Sequence, residues 1–187
     1  LIEIFRRVLF CSNFFLKSLL LSIGRSNGLN MPALNQLHVY GEEFVQKTAW
    51  RIDEVTRPTE ITVGLFNSGD LTVDDSTDIT DITTANAEPS GGNYTRQTAT
   101  LDSSDVDLFE DGNGDWKMDV ADQVFQPNST NDTKTVDAYF VLASFTSETA
   151  GDSSANDHVM FTGDLSQSRD LSQIDELTVD NVSMTLE

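Results

Sequence analysis

Residues Thr135–Phe145, TVDAYFVLASF, run almost without a break through apolar and aromatic side chains. A strand with one wet face alternates apolar and polar residues, whereas a near-continuous run marks a central strand covered on both sides. This segment is the expected centre of the core, and it requires protein on both faces of its sheet.

Other stretches follow a two-residue period. Glu60–Phe66 alternates through Ile61, Val63 and Leu65, and Tyr94–Leu101 reads as a second strand. Trp116–Val120 places Trp116, Met118 and Val120 on one face. His158–Thr162 reads as a shorter strand and Leu177–Leu186 closes the chain. In that last stretch Leu177 and Val179 are out of phase with Val182, Met184 and Leu186, so a bulge near Asn181 is expected to restore one buried face. Residues 33–55 follow the helical period through Leu34, Leu37, Phe44, Thr48, Ile52 and Val55, with Pro32 suited to a first turn and Pro58 barring continuation. The helix packs either on its own sheet or on a neighbouring subunit, and its terminal place in the chain favours docking. Residues 67–93 form a long polar connection with scattered Val73, Ile79 and Ile82; residues 146–157 form another, and 127–133 a turn. The fold class expected is mainly β: a β-sandwich or small barrel of six to seven strands preceded by one amphipathic helix. The expected divisions are 1–30, 31–58 (helix and linker) and 59–187 (sandwich).

The 187 residues carry a net charge of −20, from 31 acidic against 11 basic side chains. Residues 1–30 contribute Arg6, Arg7, Lys17 and Arg25 against Glu3, which leaves about −23 on the remainder. This balance excludes most nucleic-acid binders. So acidic a body repels itself in dilute salt and is screened near 1 M, where the Debye length falls to about 3 Å, so adaptation to high salt is expected. Residues 1–30 have a basic and an apolar part, but Asn13 and Lys17 interrupt the apolar stretch and no A-x-A site follows. They read as upstream translation or a leader, ahead of Met31. Cys11 is the one cysteine, so no disulfide framework and no cysteine metal site arises. N-x-S/T triplets occur at Asn93, Asn128, Asn131 and Asn181, close to the number that chance supplies in so Ser- and Thr-rich a chain.

The sharpest local motif is Asp111-Gly-Asn113-Gly-Asp115-Trp116-Lys117-Met118-Asp119-Val-Ala-Asp122. Asp111, Asn113, Asp115, Asp119 and Asp122 stand at positions 1, 3, 5, 9 and 12 of a calcium loop, whose hard cation takes oxygen ligands at that spacing. Trp116 stands where such a loop turns sharply through Gly, the last ligand is Asp rather than Glu, and the flanks alternate like strands. A hairpin turn at Asp111–Gly114 is therefore the competing reading, and calcium is retained only as a candidate ligand with no other cofactor expected. His38 and His158, the two histidines, belong to no triad motif, and the chain has no G-x-S-x-G elbow, H-E-x-x-H or P-loop. The chain is read as non-enzymatic. Trp116 and Lys117 beside Tyr94 and Arg96 are a candidate stacking surface for sugar rings, against the more common role of such aromatics as core.

Three segments, Val63-Gly-Leu65-Phe66-Asn67, Asn93-Tyr94-Thr-Arg96-Gln and Val136-Asp-Ala138-Tyr139-Phe140-Val141, together resemble a family of small β-rich decoration or tail-surface proteins of tailed-phage virions. The sequence departs from that pattern at Asn93 and Ala138, where the family tends to carry Gly. With the acidic composition, the resemblance implies a structural protein on the virion surface of a haloarchaeal tailed virus. Its implied partners are copies of itself and other virion proteins, with a host-surface glycan as a further candidate and neither nucleic acid nor membrane. The alternative is a secreted, extracellular halophilic β-sandwich module that binds glycan or calcium.

Overall fold

The structure, a computed structural model, describes residues 34–51, 58–127, 134–180 and 182–186. The segment 1–30, the helix positions Ile52 and Val55, most of the 127–133 turn and Asn181 lie outside the described residues. The fold is mainly β, with all sheet pairings antiparallel. Its strands are β1 (Gln36–Leu37), β2 (Glu60–Phe66), β3 (Gln97–Thr100), β4 (Val106–Glu110), β5 (Trp116–Val120), β6 (Gln123–Phe125), β7 (Thr135–Phe145), β8 (Asn156–Asp170), β9 (Leu177–Val179) and β10 (Val182–Leu186). Among the described residues two α-helices accompany them, α1 (Val39–Trp50) and α2 (Ile79–Thr84). No described helix is long and apolar enough to cross a membrane.

A five-stranded sheet in the order β1-β8-β7-β2-β3 is the base of the sandwich, with β7 at its centre. On its front face Ile61, Val63, Tyr139, Val141, Phe145 and Phe161 meet Val120 and Val182 of a β10-β5-β4 sheet and Phe125, Leu177 and Val179 of a β6-β9 sheet. On its back face Phe66, Ala138, Phe140, Leu142 and Val159 pack against Val73, Ile82 and Ala87. The continuous apolar run of β7 is thus explained, because odd and even residues both enter a core. Two glycines make room for its aromatic rings. Gly64 lies opposite Phe140 and Gly163 opposite Tyr139, and a β-carbon at either glycine would collide with the facing ring.

Several expectations change. The helix does not span 33–55: Asn35 takes φ 61°, Gln36 and Leu37 pair with Thr162 and Phe161, and the helix begins at Val39. Leu37 fits a helical stripe and a strand equally well, and the open edge of β8 takes it. The apolar face of α1 meets its own sheet, while Trp50 at the end of the helix is 81% exposed. Tyr40 and Phe44 pack on the front core, Gly41 lets the helix approach Met160 O, and Phe44 meets Phe145 edge-on with centroids 5.4 Å apart. The 67–93 connection supplies the back layer through α2, so Val73, Ile79 and Ile82 are its anchors. The shorter strand at His158 runs on to Asp170 because β7 pairs with it along almost its whole length. The phase change in Leu177–Leu186 separates two strands that join different sheets, β9 with β6 and β10 with β5. Among the described residues ten strands stand where six or seven are expected, since β1, β6 and the β9–β10 division are too short to register as a period and β4, though as long as β5, lies in a stretch dense with Asp.

Candidate functional site

Asp111 organises the turn between β4 and β5. Its Oδ1 accepts from Asn113 N at 2.7 Å and Asp115 N at 3.2 Å, and its Oδ2 lies 3.3 Å from Lys117 Nζ. Gly114 takes φ +93°, the left-handed step that a three-residue hairpin loop uses. Hydrogen bonds from Asn113, foremost, and the Lys117 ammonium hold the Asp111 carboxyl below its ordinary range. The oxygen set of a calcium loop is divided by this geometry. Asp111, Asn113 and Asp115 belong to the turn, while Asp119 lies further along β5 directly opposite Asp107, and Asp122 follows the strand. A calcium loop curls its ligands around one point, whereas an extended strand spaces them about 3.3 Å per residue. Among the described residues no group of three or more His, Cys, Asp or Glu side chains is placed to hold a metal ion. Burial and the neighbouring Asp107 and Asp122 push the Asp119 carboxyl upward instead.

Neither histidine lines an open cleft. His38 is fully buried ahead of α1, with Nε2 3.0 Å from Thr162 Oγ1, and its burial lowers its pKa despite the opposing field of Asp75. His158 lies between two carboxylates, Nδ1 2.9 Å from Asp78 Oδ2 and Nε2 2.7 Å from Asp152 Oδ2. Tyr40 stacks on the ring at 4.6 Å and Phe145 meets it edge-on at 5.1 Å. Asp78 also accepts from Val159 N at 2.8 Å, so the imidazole ties the start of α2 and the 146–157 connection to β8. That linkage joins segments far apart in the chain, and no spacing motif announces it.

The sugar-stacking constellation is also divided. Tyr94 stacks on Phe125 at 5.9 Å, and its hydroxyl accepts from Leu65 N at 2.9 Å and donates to Glu88 Oε1 at 3.0 Å. Arg96 makes a bidentate pair with Glu88 at 2.8 and 2.7 Å, its guanidinium 5.3 Å from the Phe140 ring centroid. Both side chains are committed to the base of the sandwich, whereas Trp116 stands on the β4–β5 hairpin with 57% of its surface exposed.

That hairpin is the most distinctive surface feature. Leu108 is 65% exposed, and Phe109 is exposed beside it. Inner-face residues pair in the rows Val106–Val120, Leu108–Met118 and Glu110–Trp116. Burial falls along this face, from Val120 at 2% through half-buried Met118 to Trp116, as the hairpin leaves the sandwich. Beneath it lies a groove of about 640 Å³ lined chiefly by Phe44, Pro58, Leu101, Val106, Leu108 and Met118. The strand β4 escaped the sequence reading, although Val106 and Leu108 mirror Val120 and Met118 across the Asn113-Gly114 turn and so carried the signal of a hairpin partner. Comparison with profiles of known protein families, with curated proteins and with solved structures gave no match.

Proposed function

We propose that this chain is a structural component of a virion surface, a capsid decoration or tail-associated protein that works as repeated copies in high salt. The observation that carries the reading is the concentration of exposed apolar side chains on one hairpin of a body whose net charge is −20. Large apolar groups grouped on an otherwise charged surface mark a contact with another macromolecule. Several of the described acids are engaged in turns and ties: Asp111 in its hairpin, Asp78 and Asp152 on His158, Glu88 on Arg96. A rigid sandwich with an adhesive projection suits assembly, and the acidic remainder suits brine. The resemblance of the segments around Val63, Tyr94 and Tyr139 to tailed-phage surface proteins supports the same reading.

The test is mass spectrometry of density-purified particles from the source culture. The expected result is this chain at a copy number comparable with the major capsid or tail protein. Its absence from particles, together with its recovery from the cell-free medium, would overturn the reading in favour of a secreted module.

A further inference from the structure

The strand β4 is the edge of its three-stranded sheet, and among the described residues nothing pairs with its outer side. Which backbone groups face outward follows from the ladder it forms with β5. Asp111 N donates to Asp115 O at 2.9 Å and Ala121 N to Asp105 O at 2.8 Å, at the two ends of the hairpin. Hydrogen-bonded pairs alternate in an antiparallel ladder, so Asp107–Asp119 and Phe109–Lys117 are the hydrogen-bonded pairs between them. The N–H and C=O of Leu108 and Glu110, and the C=O of Val106, therefore point away from β5. Val106 N is already taken by Asp102 O at 2.9 Å.

We propose that this edge pairs with the same edge of a second copy, antiparallel and about a twofold axis at Leu108, joining two three-stranded sheets into one. The inference rests on the virion-surface reading for its setting and names the surface through which copies meet. In this register Leu108 exchanges both backbone hydrogen bonds with its counterpart, and each Glu110 N–H donates to the second copy's Val106 C=O. The exposed Leu108 side chains meet each other, and the Phe109 rings become diagonal neighbours within aromatic reach. Charge is compatible with the register: Asp107 faces Phe109 of the other copy and Glu110 faces Val106. The Asp107 carboxylates become diagonal neighbours as the Phe109 rings do, which adds to the need for screening, and acid directly opposes acid only beyond the strand, between Asp105 and Asp111. Those carboxylates are turned into their own chain, Asp105 accepting from Thr100 N at 2.8 Å and Asp111 from Asn113 N at 2.7 Å.

Two further quantities set the strength. A five-residue edge with its apolar side chains falls short of the ~800 Å² per partner of a standard stable interface, so the pairing is weak in isolation and gains from repetition in an array. Each copy carries −20, so the pairing needs screening, which shortens from about 10 Å at 0.1 M to about 3 Å at 1 M salt. Flanking acids keep the edge single in dilute salt, the usual protection of an exposed strand.

Cysteine crosslinking with a short bifunctional thiol reagent tests the register in the full chain with Cys11→Ser. Hydrogen-bonded partners lie about 5.5 Å apart at both Cα and Cβ, beyond the ~4.5 Å that a direct disulfide needs at Cβ and within reach of a short linker. In molar NaCl, Leu108→Cys is expected to form a covalent dimer at least tenfold faster than Val124→Cys, an exposed control on β6, and to lose that advantage in dilute salt. Equal rates for the two thiols, or a Leu108→Cys protein that stays monomeric in molar salt, would overturn the proposal. Failure of trapping in a chain that is nonetheless found in purified particles refutes this edge alone. Trapping in a chain absent from particles refutes the virion setting and leaves the edge.

Discussion

Strands β7 and β5 both carry apolar residues in strand phase, yet they occupy opposite extremes of burial. In β7 every residue from Ala138 to Ala143 is buried on one face or the other. In β5 the apolar column Trp116, Met118, Val120 passes from 57% to 2% exposed within two turns of the pleat. The difference lies in what covers each strand. Two layers enclose β7 from Ala138 to Ala143, while the base sheet reaches under only the Val120 end of β5. An apolar alternation therefore reports a face that seeks cover, and the cover itself comes from elsewhere in the chain or from another molecule.

The contrast can be broken most directly by placing a charge in each region. Val141→Asp should abolish the cooperative unfolding transition, because an unpaired carboxylate in the double-sided core costs more than about 5 kcal/mol, comparable with the whole stability of a domain. Circular dichroism with urea titration reads the result; a folded Val141→Asp protein would show that β7 is not the centre of the fold.

A smaller effect concerns how firmly the end of β7 is held. Glu43 of α1 accepts from Ser147 Oγ at 2.8 Å, Glu148 N at 2.6 Å and Thr149 N at 3.2 Å, and pairs with Lys47 at 3.0 Å. Burial pushes its carboxyl upward, but these bonds together outweigh it and hold the pKa from the ordinary 4.5 down to about 2. A depressed folded-state pKa stabilises the protein above the unfolded value and loses that contribution as pH falls toward the folded one. About 2 to 3 kcal/mol should accordingly disappear between about pH 4.5 and 2, and Glu43→Gln should flatten that part of the stability profile. Urea midpoints measured across this window in molar salt provide the check, and identical slopes for the two proteins would remove Glu43 from the account.

The least effect is expected on the hairpin. Leu108→Asp should change the stability of the isolated chain by less than about 0.5 kcal/mol, since the side chain is already largely in water. Equilibrium denaturation in dilute protein solution measures it, and a loss of several kcal/mol would make the hairpin part of the core.

Much of the base sheet was legible because its residues obey one period over a long enough run. Glu60–Phe66 and Thr135–Phe145 appear with the expected boundaries, and the demand of β7 for two covers is met. The candidate site was legible only in part. Asp111–Gly114 gave the hairpin turn, whereas β4 gave five residues of mixed character in a region dense with Asp. Extension of β5 carries Asp119 and Asp122 away from the turn that holds Asp111, Asn113 and Asp115.

The sequence by itself determined a double-covered central strand, a mainly β chain, a turn at Asp111 and an acidic surface, since each follows from local composition or a short period. Tertiary structure decided what those periods could not carry. It set Leu37 on a sheet edge rather than in a helix, folded the polar 67–93 connection into a back layer, and linked His158 to Asp78 and Asp152. It also left Leu108, Phe109 and Trp116 in solvent. Burial and pairing are relations between distant segments, and a side chain's neighbours across the fold, rather than its neighbours in the chain, settle whether it becomes core or contact surface.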